Sequence, residues 1–306
     1  MHVHAHGPHE HGHEHGSEGG GAVHALKVAL ISTAALLLLQ VVGGVLARSL
    51  ALLADAGHLL ADLGGLGLSY TAARLATKPA TPHRTYGLYR VEILATLVNG
   101  VALLGISGFI FYEAWRRLAQ PEPVRPGLML AVAAVALSVN LVSLRALKRE
   151  GGGGLNVRAA YMEVFADMLG AAGVFIAALV ILPTGWVAVD PILSALLAVA
   201  IVPRTIALLK EALHVLLEGT PPGLDHGTIE GEIRGMAGVQ DVHDLHVWAL
   251  TSGMPVLTAH VVVCDTCDCD DLLDRVSRRL KEAFSIAHTT IQIEHSDRAR
   301  TEDSRF

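Results

Sequence analysis

Six apolar stretches, each close to twenty residues and all before the C-terminal third or so of the chain, constrain its fold more than any motif does. A helix needs about 20 mostly apolar residues to cross the hydrocarbon layer of a bilayer. The stretches run from about Leu26 to Ala47, Leu50 to Ala73, Val91 to Phe111, Leu128 to Leu144, Val157 to Leu182 and Trp186 to Leu209. Inside a bilayer each segment must satisfy its own backbone polar groups, so all six are expected to be helices. Only Arg48 and Ser49 separate the first two, which predicts a tight hairpin. Composition points the same way. The chain is 52% hydrophobic and 17% charged, against roughly 25% charged in an ordinary soluble domain. Aromatic residues are only 5%, so Ala, Leu, Val, Ile and Gly carry the apolar character, as in closely packed membrane helices. This balance argues against a soluble enzyme.

An even number of spans puts both ends on one side of the membrane, and the loop charges say which. Lys78 and Arg84, flanked by Arg74 and Arg90, lie between the second and third stretches; Lys148 and Arg149, flanked by Arg145 and Arg158, lie between the fourth and fifth. The other side carries Arg48, Arg116, Arg117 and Arg125, and nothing basic between Leu182 and Pro191. The expectation is a multi-pass protein of the cytoplasmic (inner) membrane with both termini in the cytoplasm. The N-terminus lacks the basic region and A-x-A site of a signal peptide, so the first stretch is expected to remain in the protein. Four regions follow: a His-rich disordered tail over 1–23, a six-helix transmembrane domain over 24–210, a cytoplasmic domain over 211–296 and a disordered tail over 297–306.

In the cytoplasmic domain, Asp225 to Met236 and Asp270 to Phe284 read as helices. Val239 to Leu250, Val256 to Val263 and Thr289 to Glu294 read as strands, the first two joined around Ser252-Gly253-Met254. This α-β-β-α-β order suits a small open α+β sheet with helices on one face. So small a sheet leaves a weakly covered face, which favours pairing between two copies.

The sharpest chemistry lies inside the spans. His58 and Asp62 are four apart in the second stretch, and Glu163 and Asp167 repeat that spacing in the fifth. On a helix such residues share one face a turn apart. Imidazole nitrogen and carboxylate oxygen both bind Zn²⁺ at about 2.0–2.2 Å, and four such groups complete a tetrahedron. An acidic side chain at mid-membrane costs about 2.5–3.5 kcal/mol, so three together cost roughly 8–10 kcal/mol unless a cation or protons offset them. A metal ion arriving at these groups displaces protons, which makes metal and proton binding competitive.

Other polar residues are less specific. Asp55 is read equally as an outer-shell or entry residue and as a helix-end cap or partner of Arg48; Gln40, Asn99 and Asn140 are read as interhelical hydrogen-bonding groups. In the tail, His9-Glu10-His11-Gly12-His13 matches H-E-x-x-H, but a Gly-interrupted tail is not the stable helix that motif needs, and metal collection is the better reading. His243 and His246 on the first strand fall on opposite faces if the strand is regular. A turn centred on Gly253 would set His246 opposite His260, and a bulge would change that. His288 and Glu294 are further candidates on the last strand. Cys264, Cys267 and Cys269, the only cysteines, exclude a disulfide framework and suit a reducing compartment; as a soft cluster beside acidic residues they could hold Zn²⁺ or Cd²⁺. A net charge of -6 argues against a nucleic-acid partner.

Four stretches resemble the cation diffusion facilitator family: Ser49 to His58 and on to Asp62, Arg84 to Leu94, Asn156 to Tyr161, and His243 to Gly253. The resemblance implies a homodimer with six transmembrane helices per chain and a ferredoxin-like, metallochaperone-like cytoplasmic domain. Its activity would be export of divalent metal in exchange for protons. It places the transport ligands on His58, Asp62 and Asp167 with the fourth at Glu163, and the cytoplasmic metal sites on His243, His260 and Glu294. Many zinc-transporting members have His at the fourth position; Glu is similar to the bacterial cobalt/zinc/cadmium-resistance branch. The histidines that many relatives carry between the fourth and fifth helices are here replaced by Gly151 to Gly154.

The expected function is therefore efflux of Zn²⁺, with Co²⁺ or Cd²⁺, by metal/proton antiport through alternating access. Divalent metal acts as transported substrate and as regulator, with no organic cofactor and no nucleic acid. The alternatives are a membrane-tethered metal sensor without transport and, least favoured, an intramembrane metalloprotease, for which no span supplies H-E-x-x-H.

Overall fold

The computed structural model describes residues 18–149, 155–265 and 267–295, so the His-rich segment through residue 17, the four-glycine link and the 297–306 tail lie outside the described residues. Among the described residues six helices are long and apolar enough to cross a membrane: α1 (Glu18–Ala47), α2 (Leu50–Ala76), α3 (Val91–Ala119), α4 (Pro126–Arg149), α5 (Leu155–Thr184) and α6 (Val189–Leu216). After them come α7 (His226–Arg234), β1 (Val239–Ala249), β2 (Pro255–Val263), α8 (Cys269–Phe284) and β3 (His288–His295). This is the expected architecture of six membrane helices and a small α+β domain. One boundary differs: α1 is already helical at Glu18, inside the segment expected to be tail.

Contacts divide the chain into two compact units, one of Met1–Gly64 with Leu103–Pro203, the other of Gly65–Ala102 with Arg204–Phe306. In the first, Ala47, Ala51 and Leu52 pack against Met129, Val132 and Ala133 of α4 and Val174, Ala177 and Ala178 of α5. Small side chains allow this close approach of helices. Leu38, Phe109, Trp115, Ile176 and Leu196 point outward, as expected of helices apolar on all sides.

The predicted hairpin between α1 and α2 is present: Arg48 adopts a left-handed φ of 54°, and the Ser49 N–H donates to the Gly44 carbonyl at 3.0 Å. The start of α2 is capped from another helix. Asp190 of α6, fully buried, accepts from Ser49 Oγ at 2.6 Å, the Leu50 N–H at 2.7 Å and the Ala51 N–H at 3.2 Å. Those N–H groups have no acceptor within their own helix, and the helix dipole favours a negative charge there.

In the second unit β1 pairs antiparallel with β2, and β2 pairs parallel with β3. Ile229 and Ile233 of α7 and Leu272, Val276 and Leu280 of α8 share one core with Val242, Val247, Leu257 and Val261. Both helices thus cover the same face, and the other carries the polar residues.

Register departs from the Gly253-centred expectation. Ala249 pairs with Pro255, which sets His246 opposite Thr258. A bulge between His243 and His246 then slips the ladder by one residue and brings His243 opposite His260. Asp244 sits in the bulge with a left-handed φ of 49°. An inserted residue moves side chains to the other face, so Val242 and Leu245 both enter the core while His243 and His246 stay out of it.

Candidate metal centres

His58 and Asp62 on α2 and Asp167 on α5 come together within the first unit. His58 Nε2 lies 3.3 Å from Asp62 Oδ2 and 3.7 Å from Asp167 Oδ1, and the three groups can place one donor atom each within 4.8 Å of the others. In a tetrahedron with bonds of about 2.0–2.2 Å, ligand atoms stand roughly 3.3–3.6 Å apart. The spacing around His58 Nε2 is close to that edge length. Asp167 is buried and the other two are about one-fifth exposed. Glu163, the fourth expected ligand, is half-buried one turn before Asp167 and stands outside the close group.

Asp55, one turn before His58, is buried and accepts a hydrogen bond from Gln40 Nε2 at 2.5 Å. The partner is therefore Gln40 of α1, as expected of an interhelical polar group, and the Arg48 pairing is corrected. Across from it, a Cβ on Gly170 would stand 2.7 Å from Asp55 Oδ1. Glycine is what lets α5 approach α2 this closely, three residues beyond Asp167.

The second centre lies on the helix-free face of the sheet. Glu294 of β3, only 1% exposed, sits between two imidazoles: Oε2 is 3.2 Å from His243 Nε2 and Oε1 is 2.8 Å from His260 Nδ1. The rings are 5.1 Å apart, and Gln292 Nε2 donates to Glu294 Oε1 at 2.8 Å. All three expected cytoplasmic residues meet. Asp244, which sequence reasoning missed, joins His243 and His260 in a group able to place donor atoms within 4.8 Å. Its only sequence signal is an Asp beside a strand histidine, and regular alternation would have sent it to the opposite face. His246 is exposed opposite Thr258, and His288 starts β3 against the edge of Tyr86, so neither pairs in the ladder at the position of His260.

The cysteines differ from expectation. Cys264 and Cys267 are joined as a disulfide, and Cys269 is free. The two are three apart in sequence with Cα atoms 5.4 Å apart, so a single local bridge forms although three cysteines cannot build a framework.

A bundle of membrane-spanning helices with a histidine–carboxylate cluster in its interior, followed by a small sheet domain with a second such cluster, defines a polytopic membrane protein that handles divalent metal. The chain belongs to the cation efflux, or cation diffusion facilitator, family: residues 26–217 match the cation efflux transmembrane domain and residues 221–296 the cation efflux protein cytoplasmic domain. It is 42% identical over 276 residues to the metal cation efflux system protein CzcD of Cupriavidus metallidurans, covering 90% of this chain and 87% of that one. It is 38% identical over 281 residues to the cadmium, cobalt and zinc/H⁺-K⁺ antiporter of Bacillus velezensis, covering 90% of each. The zinc transporter ZitB of Escherichia coli is 41% identical over 265 residues, covering 86% of this chain and 84% of that one. A solved structure of the metal-bound C-terminal domain of the CzcD transporter is 40% identical and covers 23% of this chain and 99% of that one, with a TM-score of 0.23. The family is one of metal cation transporters, not enzymes.

Proposed function

We propose that the protein exports Zn²⁺, and also Co²⁺ or Cd²⁺, from the cytoplasm in exchange for protons, by alternating access around His58, Asp62, Asp167 and Glu163. The observation that carries this reading is the spacing of 3.3 and 3.7 Å around His58 Nε2, near the edge of a metal tetrahedron and between two helices long and apolar enough to cross a membrane. Glu163 is the fourth ligand, reached from the next turn of α5. These groups bind metal only when deprotonated, so each ion loaded displaces protons and each proton taken up favours release. The chain works as a homodimer in the inner membrane with both termini in the cytoplasm, in keeping with the loop charges.

Metal at His243, His260 and Glu294, with Asp244, regulates transport. Two contacts within the second unit give it a route: Thr251 Oγ1, in the loop between β1 and β2, donates to Glu92 Oε2 at 2.7 Å, and Arg90 pairs with Glu218 at 2.8 Å. Glu92 lies in the first turn of α3.

Proteoliposomes loaded with a zinc-sensitive dye test the proposal. Changes to residues outside a metal's ligand set already lower affinity about 10–100-fold, so Asp62→Ala with Asp167→Ala is expected to abolish zinc flux and Glu163→His to shift preference toward Zn²⁺. Flux at the parent rate in the double variant would reject the site, indifference to a pH gradient would reject proton coupling, and metal binding without flux would point to a sensor.

A further inference from the structure

Neither metal centre uses the three cysteines, which cluster at the end of β2 and the start of α8. Cys264 and Cys267 have Cα atoms 5.4 Å apart, and the free Sγ of Cys269 lies 3.9 Å from the Cys267 carbonyl oxygen. The preceding turn is shaped around this contact. Gly238 has a left-handed φ of 100°, its carbonyl accepts the Cys264 N–H at 3.2 Å, and a Cβ on it would stand 3.0 Å from Cys267 Sγ. A residue with a side chain would be strained there and would crowd the sulfur. Beside the cluster, β3 ends at His295, which pairs with Val263 in the ladder and faces Asp265 at 3.5 Å.

Three sulfurs within six residues make a softer donor set than the histidine–carboxylate centre, whose nearest ligand, His260, lies four residues back along the strand, roughly 13 Å away. Thiolates select Zn²⁺ and other thiophilic cations over hard ones. We propose that Cys264, Cys267 and Cys269 form a separate thiolate site for a soft divalent cation, Cd²⁺ or Zn²⁺, and that the Cys264–Cys267 disulfide is its closed state.

Opening needs a thiol reductant. Two small-molecule thiols are oxidised to one disulfide while the Cys264–Cys267 bond breaks and each sulfur takes up one proton. When the cation binds, three thiols release three protons and three sulfur–metal bonds form. In the closed state two of the three donors are locked in the disulfide, so occupancy of this site follows the redox state of the surrounding thiol pool.

The test uses the full-length protein in detergent micelles. Alkylation followed by mass spectrometry should count one reactive thiol as purified under oxidising conditions and three after dithiothreitol. Cd²⁺ titrated into the reduced protein should give the ultraviolet cadmium–thiolate charge-transfer band, saturating at one ion per chain. The band should be missing from the oxidised protein and from Cys264→Ser/Cys267→Ser, while Cys269→Ser should bind more weakly and still close its disulfide. Three reactive thiols before reduction would overturn the closed state. A reduced parent without the band, or an equal band in the double serine variant, would overturn the metal site.

Discussion

Removing the carboxylate that caps α2 tests whether α6 anchors the helix carrying His58 and Asp62. Asp190 accepts three hydrogen bonds, from Ser49 Oγ, the Leu50 N–H and the Ala51 N–H, and is fully buried. A hydrogen bond to a charged group contributes about 1.5–3 kcal/mol, and a buried donor left without an acceptor costs about 1–3 kcal/mol. Loss of negative charge at a helix N-terminus removes about 0.3–1 kcal/mol more. These contributions overlap, so Asp190→Ala is expected to destabilise the bundle by about 3–5 kcal/mol. Asp190→Asn keeps one oxygen but turns an NH₂ toward an N–H, and should cost about 1–2 kcal/mol. Ser49 is coupled to both ends of the cap, since its Oγ also accepts the Leu52 N–H at 3.2 Å. Ser49→Ala should cost about 1 kcal/mol, and a double-mutant cycle with Asp190→Ala should show coupling of at least about 0.5 kcal/mol. The assay is reversible unfolding in mixed micelles followed by helical circular dichroism. A loss under about 1 kcal/mol for Asp190→Ala, or no coupling to Ser49, would refute the anchor.

Two further expectations concern the cytoplasmic domain. A non-glycine residue in the left-handed region costs about 1–2 kcal/mol, so Asp244→Gly should leave the metal-free domain as stable or up to about 1 kcal/mol more stable while weakening Zn²⁺ binding by calorimetry; unchanged affinity would remove Asp244 from the centre. At the start of α7, the Thr228 hydroxyl and N–H both donate to Asp225 and hold its carboxyl below the ordinary 3.8. A lowered folded-state value means that the cap stabilises the domain above pH 3.8 and loses that contribution as pH falls through the folded value. The Thr228 amide resonance should follow this loss, and Asp225→Asn should make it independent of pH.

What could be read from sequence depends on the range of the interactions involved. The six helices and the pairing of His58 with Asp62 are local, set by composition and a spacing of one turn. The meeting of His58 with Asp167 is long-range, and it was legible because each helix carries its own pair of polar residues among apolar ones. Spacing alone could not show that Glu163 stands outside the close group, because a shared face still leaves two residues a turn apart. The register of β1 was not legible either: the turn pairs Ala249 with Pro255, and Asp244 then takes a left-handed conformation that alternation cannot anticipate. Asp190 gave no signal, since the groups it caps lie 139–141 residues away in sequence.

The two distances around His58 Nε2 differ in what controls them. Asp62 shares α2 with His58, so their spacing of 3.3 Å survives any rigid movement of that helix. Asp167 comes from α5, and the 3.7 Å spacing changes as soon as α2 shifts against α5. On the proposed reading, a divalent cation left with two donors on one helix would lose part of its tetrahedron, so its affinity would fall if the helices parted. A Cβ on Gly170 would stand 2.7 Å from Asp55 Oδ1, so α2 and α5 meet in close contact beside these ligands. A ligand shifts a conformational equilibrium only by its difference in affinity between the states. In the proposed transport site, placing one carboxylate on the second helix would create that difference at the metal.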